Sequence, residues 1–347
     1  MDLPELNIGR IQSRFPVIQA GMGVRVGIGR LAGAVINAGG MGVIASVGLG
    51  NYGQSSGRNY KEESNYQLVQ EIREARRITG GKGPLGVNVM VALTNCEELV
   101  RTAVDEGVDF IISGAGLPLR LPKYVNESTM IIPVISSGKG ASLILRTWLR
   151  KYNRRPDAII IEGPLCGGHL GFKYEQLEHP QDYSMEKLLK DVQTVLGPDH
   201  QDIPLIAAQG VNGKEDIENY VSMGYAGVQI GTRLICTEES GMERSGQQVY
   251  IDATNDDIIV IQSPVGLPVR VLRTPLVDRV LAGKHEVFSC PYKCLATCDM
   301  KKVPFCIAQA LLASRAGDVE NGLFMTGANV EAIQDVIPVK EFFKSLE

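Results

Sequence analysis

The stretch Ala158-Ile159-Ile160-Ile161-Glu162-Gly163-Pro164-Leu165-Cys166-Gly167-Gly168-His169-Leu170-Gly171-Phe172 changes character at Glu162. Up to Ile161 it is an unbroken apolar run, the pattern of a strand covered on both faces; a half-exposed strand would alternate with polar residues. Beyond Glu162, glycines surround a histidine, and without Cβ atoms the backbone there can approach a ligand closely. A tight strand-to-helix turn with a capping histidine would use the same glycines, so the neighbouring sequence has to decide.

Seven more apolar runs lie at 15–20, 41–47, 85–91, 110–113, 131–137, 203–208 and 227–231. Segments of helical character separate them, at 29–38, 66–79, 96–106, a short one at 117–125, 139–152, 184–196 and 214–223. Strands buried on both sides and alternating with helices predict an α/β fold, and eight such units predict a closed (β/α)8 TIM barrel.

Composition agrees. With 347 residues and 44% hydrophobic content, the chain can bury one large α/β core and carry a smaller unit besides. A net charge of -4 with interspersed signs gives no footprint for nucleic acid. No apolar run reaches the roughly 18 residues of a membrane span, and no basic-then-apolar leader opens the sequence, so a cytoplasmic protein is expected. The seven cysteines, Cys96, Cys166, Cys236, Cys290, Cys294, Cys298 and Cys306, suggest reduced thiols or a metal site in preference to a disulfide scaffold.

Each apolar run stops in small or polar residues: Gly21 and Met22, Gly48, Asn88, Ser113 and Gly114, Ser136 and Ser137, Glu162 and Gly163, Gln209 and Gly210, Gly231 and Thr232. In a barrel these ends form one rim, where active sites sit. Turn chemistry accounts for some of the glycines, but not for Asn88 inside an apolar run or for Gln229 in Gln229-Ile230-Gly231-Thr232. The loops after the seventh and eighth strands, Gln209-Gly210-Val211-Asn212-Gly213 and Gly231-Thr232-Arg233, occupy the usual phosphate position of this fold. No Gly-x-Gly-x-x-Gly fingerprint follows a strand, which argues against a Rossmann dinucleotide site.

Five motifs in this order carry a family resemblance: Phe15-Pro16-Val17-Ile18-Gln19-Ala20-Gly21-Met22, Gly86-Val87-Asn88-Val89-Met90, Glu162-Gly163 with Gly167-Gly168-His169-Leu170-Gly171, Ile206-Ala207-Ala208-Gln209-Gly210, and Val228-Gln229-Ile230-Gly231-Thr232-Arg233. Together, over residues 10–280, the chain resembles the nitronate monooxygenases, formerly called 2-nitropropane dioxygenases. Their superfamily includes the FMN-dependent enoyl-acyl carrier protein reductases. The resemblance implies FMN held non-covalently at the barrel rim. It places Met22 beside the isoalloxazine, with Ala20 and Gly21 in the cofactor-binding set, Asn88 and Glu162 at the polar edge or ribityl chain, and Gly167, Gly210, Gly231 and Thr232 around the phosphate. Gly168, Gln209 and Gln229 complete the implied cofactor set, and His169 becomes the catalytic residue, as a base or as a group that positions the substrate. Two departures stand out: Gln209 precedes Gly210 where a double glycine is usual, and Cys166 stands where a small residue is common.

The implied activity is oxidation of alkyl nitronates by molecular oxygen to carbonyl compounds and nitrite, with a homodimer as the candidate assembly and no membrane partner. An enoyl-acyl carrier protein reductase or another NAD(P)H-dependent flavin reductase, acting on an enoyl thioester, would use the same motifs. A flavin-binding partner without catalysis is the non-enzymatic alternative. Residues 235–285 read as a small cap or substrate domain, with Arg244, Tyr250 and Arg273 as candidate rim groups, leaving 1–234 and 286–347 as barrel and C-terminal helical tail. In that tail, Cys290, Cys294 and Cys298 would share one face if helical; with Cys306 they are candidates for zinc, an iron-sulfur cluster, redox thiols or plain buried side chains.

Overall fold

The computed structural model describes residues 2–50, 60–290, 293–296 and 298–347. Eight strands form its central sheet: β1 (Val17–Gln19), β2 (Gly42–Ala45), β3 (Leu85–Met90), β4 (Phe110–Gly114), β5 (Met130–Ile135), β6 (Ile159–Glu162), β7 (Leu205–Ala208) and β8 (Gly227–Ile230). They run parallel in sequential order, with β8 against β1, and a parallel bridge between Ile18 and Met41 closes the ring. The barrel expected from the eight apolar runs is therefore the fold.

Strand alternation sorts the apolar residues into two cores. Val17, Ile44, Val87, Ile111 and Ile159 face the surrounding helices, while Ile18, Val43, Phe110, Ile112 and Ile160 meet inside the barrel. Burial of each such side chain contributes roughly 1.5–3 kcal/mol, which is why both faces of the sheet had to be apolar. Phe110 fills the barrel floor, and a Cβ on Gly86 would collide with its ring. From below, the N-terminal hairpin of Leu6–Ile8 and Ile11–Ser13 inserts Leu6, Ile8 and Ile11 into the inner core.

The outer helices are α1 (Gly29–Asn37), α2 (Tyr60–Thr79), α3 (Cys96–Asp105), α4 (Gly138–Tyr152), α5 (Met185–Leu196) and α6 (Lys214–Met223). Local chemistry sets their ends. Ser137 Oγ accepts the Gly140 N–H at 3.3 Å to cap α4, and Asn153 ends it in the left-handed region at φ 47°. Helix α2 starts before the periodic segment 66–79; its first turn is polar and carries Glu62 and Glu63, which suit a helix N-terminus but leave no apolar pattern. At 117–125 the expected short helix is reduced to a single 3-10 turn, Leu121–Lys123. Pro118 and Pro122 each remove a backbone donor there, and the Pro118 carbonyl instead accepts the indole N–H of buried Trp148 at 3.1 Å.

Beyond the barrel come α7 (Thr232–Ile235), α8 (Arg244–Asp252), the antiparallel strands β9 (Ile258–Gln262) and β10 (Pro268–Leu272), and α9 (Pro275–Leu281). Strand β10 also pairs with Gly168 and His169, so this region is stitched to the glycine loop after β6. The tail contributes α10 (Ile307–Arg315) and α11 (Val339–Lys344), and Phe343 of α11 meets Phe15 edge-on with ring centroids 5.6 Å apart. Among the described residues, no helix is long and apolar enough to cross a membrane.

Candidate active site

The C-terminal ends of the strands open into a cavity of about 580 Å³. Every residue assigned above to cofactor or catalysis lines it, from Ala20, Gly21 and Met22 through Asn88, Glu162, Gly167, Gly168 and His169 to Gln209, Gly210, Gln229, Gly231 and Thr232. Of the candidate rim groups only Tyr250 does; its hydroxyl donates to the Met325 carbonyl at 3.0 Å, while Arg273 pairs with Asp278 on the surface.

Three polar side chains project from the inner wall. Asn88 lies two positions beyond Gly86, Glu162 two beyond Ile160 and Gln229 two beyond Gly227, so strand alternation turns all three inward at the mouth. Among the described residues, none of the three side chains has a hydrogen-bond partner in the protein. All three are half-buried and open on the cavity, so this ring offers donors and acceptors to a ligand placed there. Gly21 is part of the arrangement, because a Cβ there would overlap the Asn88 side chain.

Burial pushes the Glu162 carboxyl from the ordinary 4.5 up to about 7. The folded chain therefore keeps a proton that the unfolded chain releases, and this group's contribution to stability is lost as pH rises from about 4.5 through about 7. Glu162→Gln is expected to stabilise the flavin-free protein by about 1–3 kcal/mol at pH 8 and by almost nothing at pH 4.5, the upper figure being reduced by cavity water. Thermal melts at both pH values test this; equal gains would mean the carboxyl is not perturbed.

At the β7 and β8 ends, Gly210 adopts φ 60°, a region that favours glycine, and Gly231 precedes α7. Thr232 Oγ1 accepts the Gly327 N–H at 3.1 Å and keeps its own proton to donate. Opposite, the glycine loop lies so close to the tail that a Cβ on Gly167 would stand 2.8 Å from backbone atoms of Thr326 and Gly327. The Gln209 side chain has a task the sequence did not suggest: its Oε1 accepts the Leu165 N–H at 2.8 Å, tying the β7 loop to the β6 loop. Gln209 presents its carboxamide oxygen to that loop while still lining the cavity.

His169 is held from behind. Its Nε2 lies 2.8 Å from Ser263 Oγ, which also accepts the Val265 N–H at 3.1 Å. Burial lowers the imidazole from 6.5 to about 4, so the ring is neutral near pH 7. The loop bearing it is pinned by Arg270, only 6% exposed, whose Nη1 donates to Pro164 O at 2.9 Å and Cys166 O at 2.7 Å. Cys166 is buried in this wall, and burial holds its thiol well above the ordinary range.

Sequence reasoning missed two parts of the lining. One is the start of α4, with Lys139 and Gly140 beside Ser136 and Ser137; the two serines had been noted only as strand-end residues. The other is the tail segment with Met325, Gly327 and Asn329, which carries no motif because its backbone makes the contacts. Ser113 and Gly48, two of the strand-end residues, do not line the cavity; Ser113 Oγ donates outward to Val89 O at 2.8 Å. No helix forms over Cys290, Cys294 and Cys298 among the described residues, and Lys293 between them turns at φ 47°.

Comparison with known proteins gives this architecture a context. A Mycobacterium tuberculosis protein named (3aS,4S,5R,7aS)-5-hydroxy-7a-methyl-1-oxo-octahydro-1H-indene-4-carboxyl-CoA dehydrogenase is 29% identical over 272 residues, 78% of this chain. The chain spans just under two thirds of that relative, 66%, and 64% of a protein of the same name from Rhodococcus jostii. A probable nitronate monooxygenase of Staphylococcus haemolyticus is 26% identical, with 83% of this chain and 84% of the relative covered. Among solved structures, FabK from Thermotoga maritima superposes with a TM-score of 0.72 at 27% identity, over 95% of this chain and 91% of that one. The dehydrogenase and monooxygenase names are those of oxidoreductases. The family model described as nitronate monooxygenase matches residues 5–347, which takes in all eight strands, the glycine loop and the tail that closes the cavity, so the chain belongs to the nitronate monooxygenase family.

Proposed function

We propose that the chain binds FMN in the barrel mouth and oxidises alkyl nitronates with molecular oxygen to carbonyl compounds and nitrite. The observation that carries the cofactor is the ring of Asn88, Glu162 and Gln229, three inward polar side chains with no hydrogen-bond partner among the described residues, above a floor sealed by Phe110. FMN supplies the redox chemistry when bound; the protein supplies position and electrostatics. In this reading Asn88, Glu162 and Gln229 hydrogen-bond the flavin's polar edge or ribityl chain, and Ala20, Gly21 and Met22 lie against its ring. The Gly210 and Gly231 amides and the Thr232 hydroxyl hold the phosphate, with Gly167 close by. Residues 235–285 act as a cap, joined to the reaction side through the pairing of β10 with Gly168 and His169.

A nitronate is already deprotonated at carbon, so its oxidation requires no base. That suits a histidine whose protonated form is disfavoured down to about pH 4. In this reading the Ser263 hydroxyl donates to Nε2, which leaves the imidazole proton on Nδ1 to donate to the nitronate's anionic oxygen. His169→Ala should therefore retain FMN but lower kcat/KM for nitronate by roughly 10- to 100-fold, the worth of one hydrogen bond to a charged group. The variant should keep the wild-type shape of the pH–rate profile above pH 5, because His169 stays neutral across it. Oxygen-uptake kinetics between pH 5 and 8 test both points, and unaltered kinetics in the variant would remove His169 from the reaction.

The carboxyl-CoA dehydrogenase name carried by the 29% identical relatives favours a second reading, an FMN-dependent oxidoreductase acting on a thioester with NAD(P)H. Anaerobic absorbance spectra separate the two. Bleaching of a flavin band by an alkyl nitronate, with little response to NADH or NADPH, is the expected result; bleaching by nicotinamide alone would select the thioester reading. Folded protein without flavin would overturn both.

A further inference from the structure

Apart from the barrel mouth, the four tail cysteines share a place of their own. Cys290, Cys294, Cys298 and Cys306 all line one small cavity of about 30 Å³, walled otherwise by Phe288, Lys293, Leu295, Met300 and Ile307. The chain that bears them is strapped to the loop after β3. Leu295 bridges Leu93, Thr94 N–H donates to Cys294 O at 3.1 Å, and Ala296 N–H donates to Ala92 O at 2.9 Å. The next residue along that loop, Asn95, is 1% exposed, and neither atom of its carboxamide has a hydrogen-bond partner among the described residues.

Two facts together narrow the occupant. A single zinc ion with sulfurs at about 2.3 Å needs its thiolates within about 4 Å of one another. Among the described residues no three His, Cys, Asp or Glu side chains are gathered closely enough to hold one ion. Four thiols nonetheless surround one common space. A cage in which each sulfur binds a different metal atom of a central body needs thiols around a common space without needing them to converge on one point.

We propose that Cys290, Cys294, Cys298 and Cys306 ligate a [4Fe–4S] cluster. Each thiol gives its proton to solvent, and its sulfur forms one bond to one iron. An equal mixture of ferrous and ferric iron with sulfide supplies the core at its ordinary oxidation level without further electron transfer. Leu295 and Ile307, both buried, form the inner wall, and Lys293 lines the same space. Leu295 and Ile307 line both this space and the large cavity, which sets the cluster directly behind the flavin wall.

The test is metal and acid-labile sulfide analysis of full-length protein purified without oxygen and reconstituted with that iron mixture and sulfide. About four irons and four sulfides per chain are expected. Cys298→Ala or Cys306→Ala should lose most of the iron, Cys96→Ser should keep it, and Gly231→Asp should keep it while losing flavin. Zinc in place of iron, no iron after reconstitution, or full iron in the alanine variants would overturn the proposal. The wild-type stoichiometry decides the matter even if an alanine variant fails to fold.

Discussion

Gly231→Asp is expected to strip the protein of FMN while leaving it folded. A Cβ at Gly231 meets only the Ala20 Cβ, at 3.5 Å, an ordinary contact, and its φ of -113° is open to any residue. The fold thus has no objection to the change, and its effect is electrostatic. A carboxylate about 5 Å from a phosphate dianion costs about 3–6 kcal/mol at an effective dielectric near 20, or roughly 10²- to 10⁴-fold in flavin affinity. Gly231→Ala, with the same Cβ and no charge, should keep its flavin. Absorbance after desalting reads both variants, and full occupancy in the aspartate variant would show that the phosphate lies elsewhere.

Arg270→Met should produce the largest loss of stability among the changes considered, about 2–4 kcal/mol, because it leaves the Pro164 and Cys166 carbonyls without their buried donor. The thermal midpoint is expected to fall by ~5–10 °C. Activity should fall further than in His169→Ala, since the same loop carries His169 and the close contact at Gly167. Both bonds leave from Nη1, so Arg270→Lys, which keeps one charged nitrogen donor on a shorter side chain, should recover part of the stability. If melting is unchanged in the methionine variant, the loop is held by its backbone pairing with β10 alone.

Why the barrel was legible and part of its mouth was not follows from what each residue does. Ile159 and Ile160 are buried on opposite faces of one strand, so the sequence had to be apolar at consecutive positions, and that pattern can be read. Asn88, Glu162 and Gln229 stood out because polar side chains are costly at the end of such runs unless something meets them. The support for His169 left no comparable trace. Ser263 is a common residue, distant in sequence, and its value comes from a 2.8 Å contact that only the fold creates. Arg270 is not among the candidate rim groups of residues 235–285, yet it is buried against the carbonyls of the glycine loop. At 117–125 the apolar spacing suggested a helix, and two prolines prevented it. The tail cysteines illustrate the reverse case: their spacing was visible, but a helical reading misjudged how they come together.

The seam between the glycine loop and residues 325–329 bears on how the protein is made. A growing chain has all eight strands once Ile230 has left the ribosome, yet the amide of Gly327 that meets Thr232, and the amide of Ala328 that meets Leu165, emerge much later. Until then the barrel has its floor and staves but lacks one wall at the top. The cavity therefore gains this wall only after residues 325–329 have emerged, well after its sheet is complete.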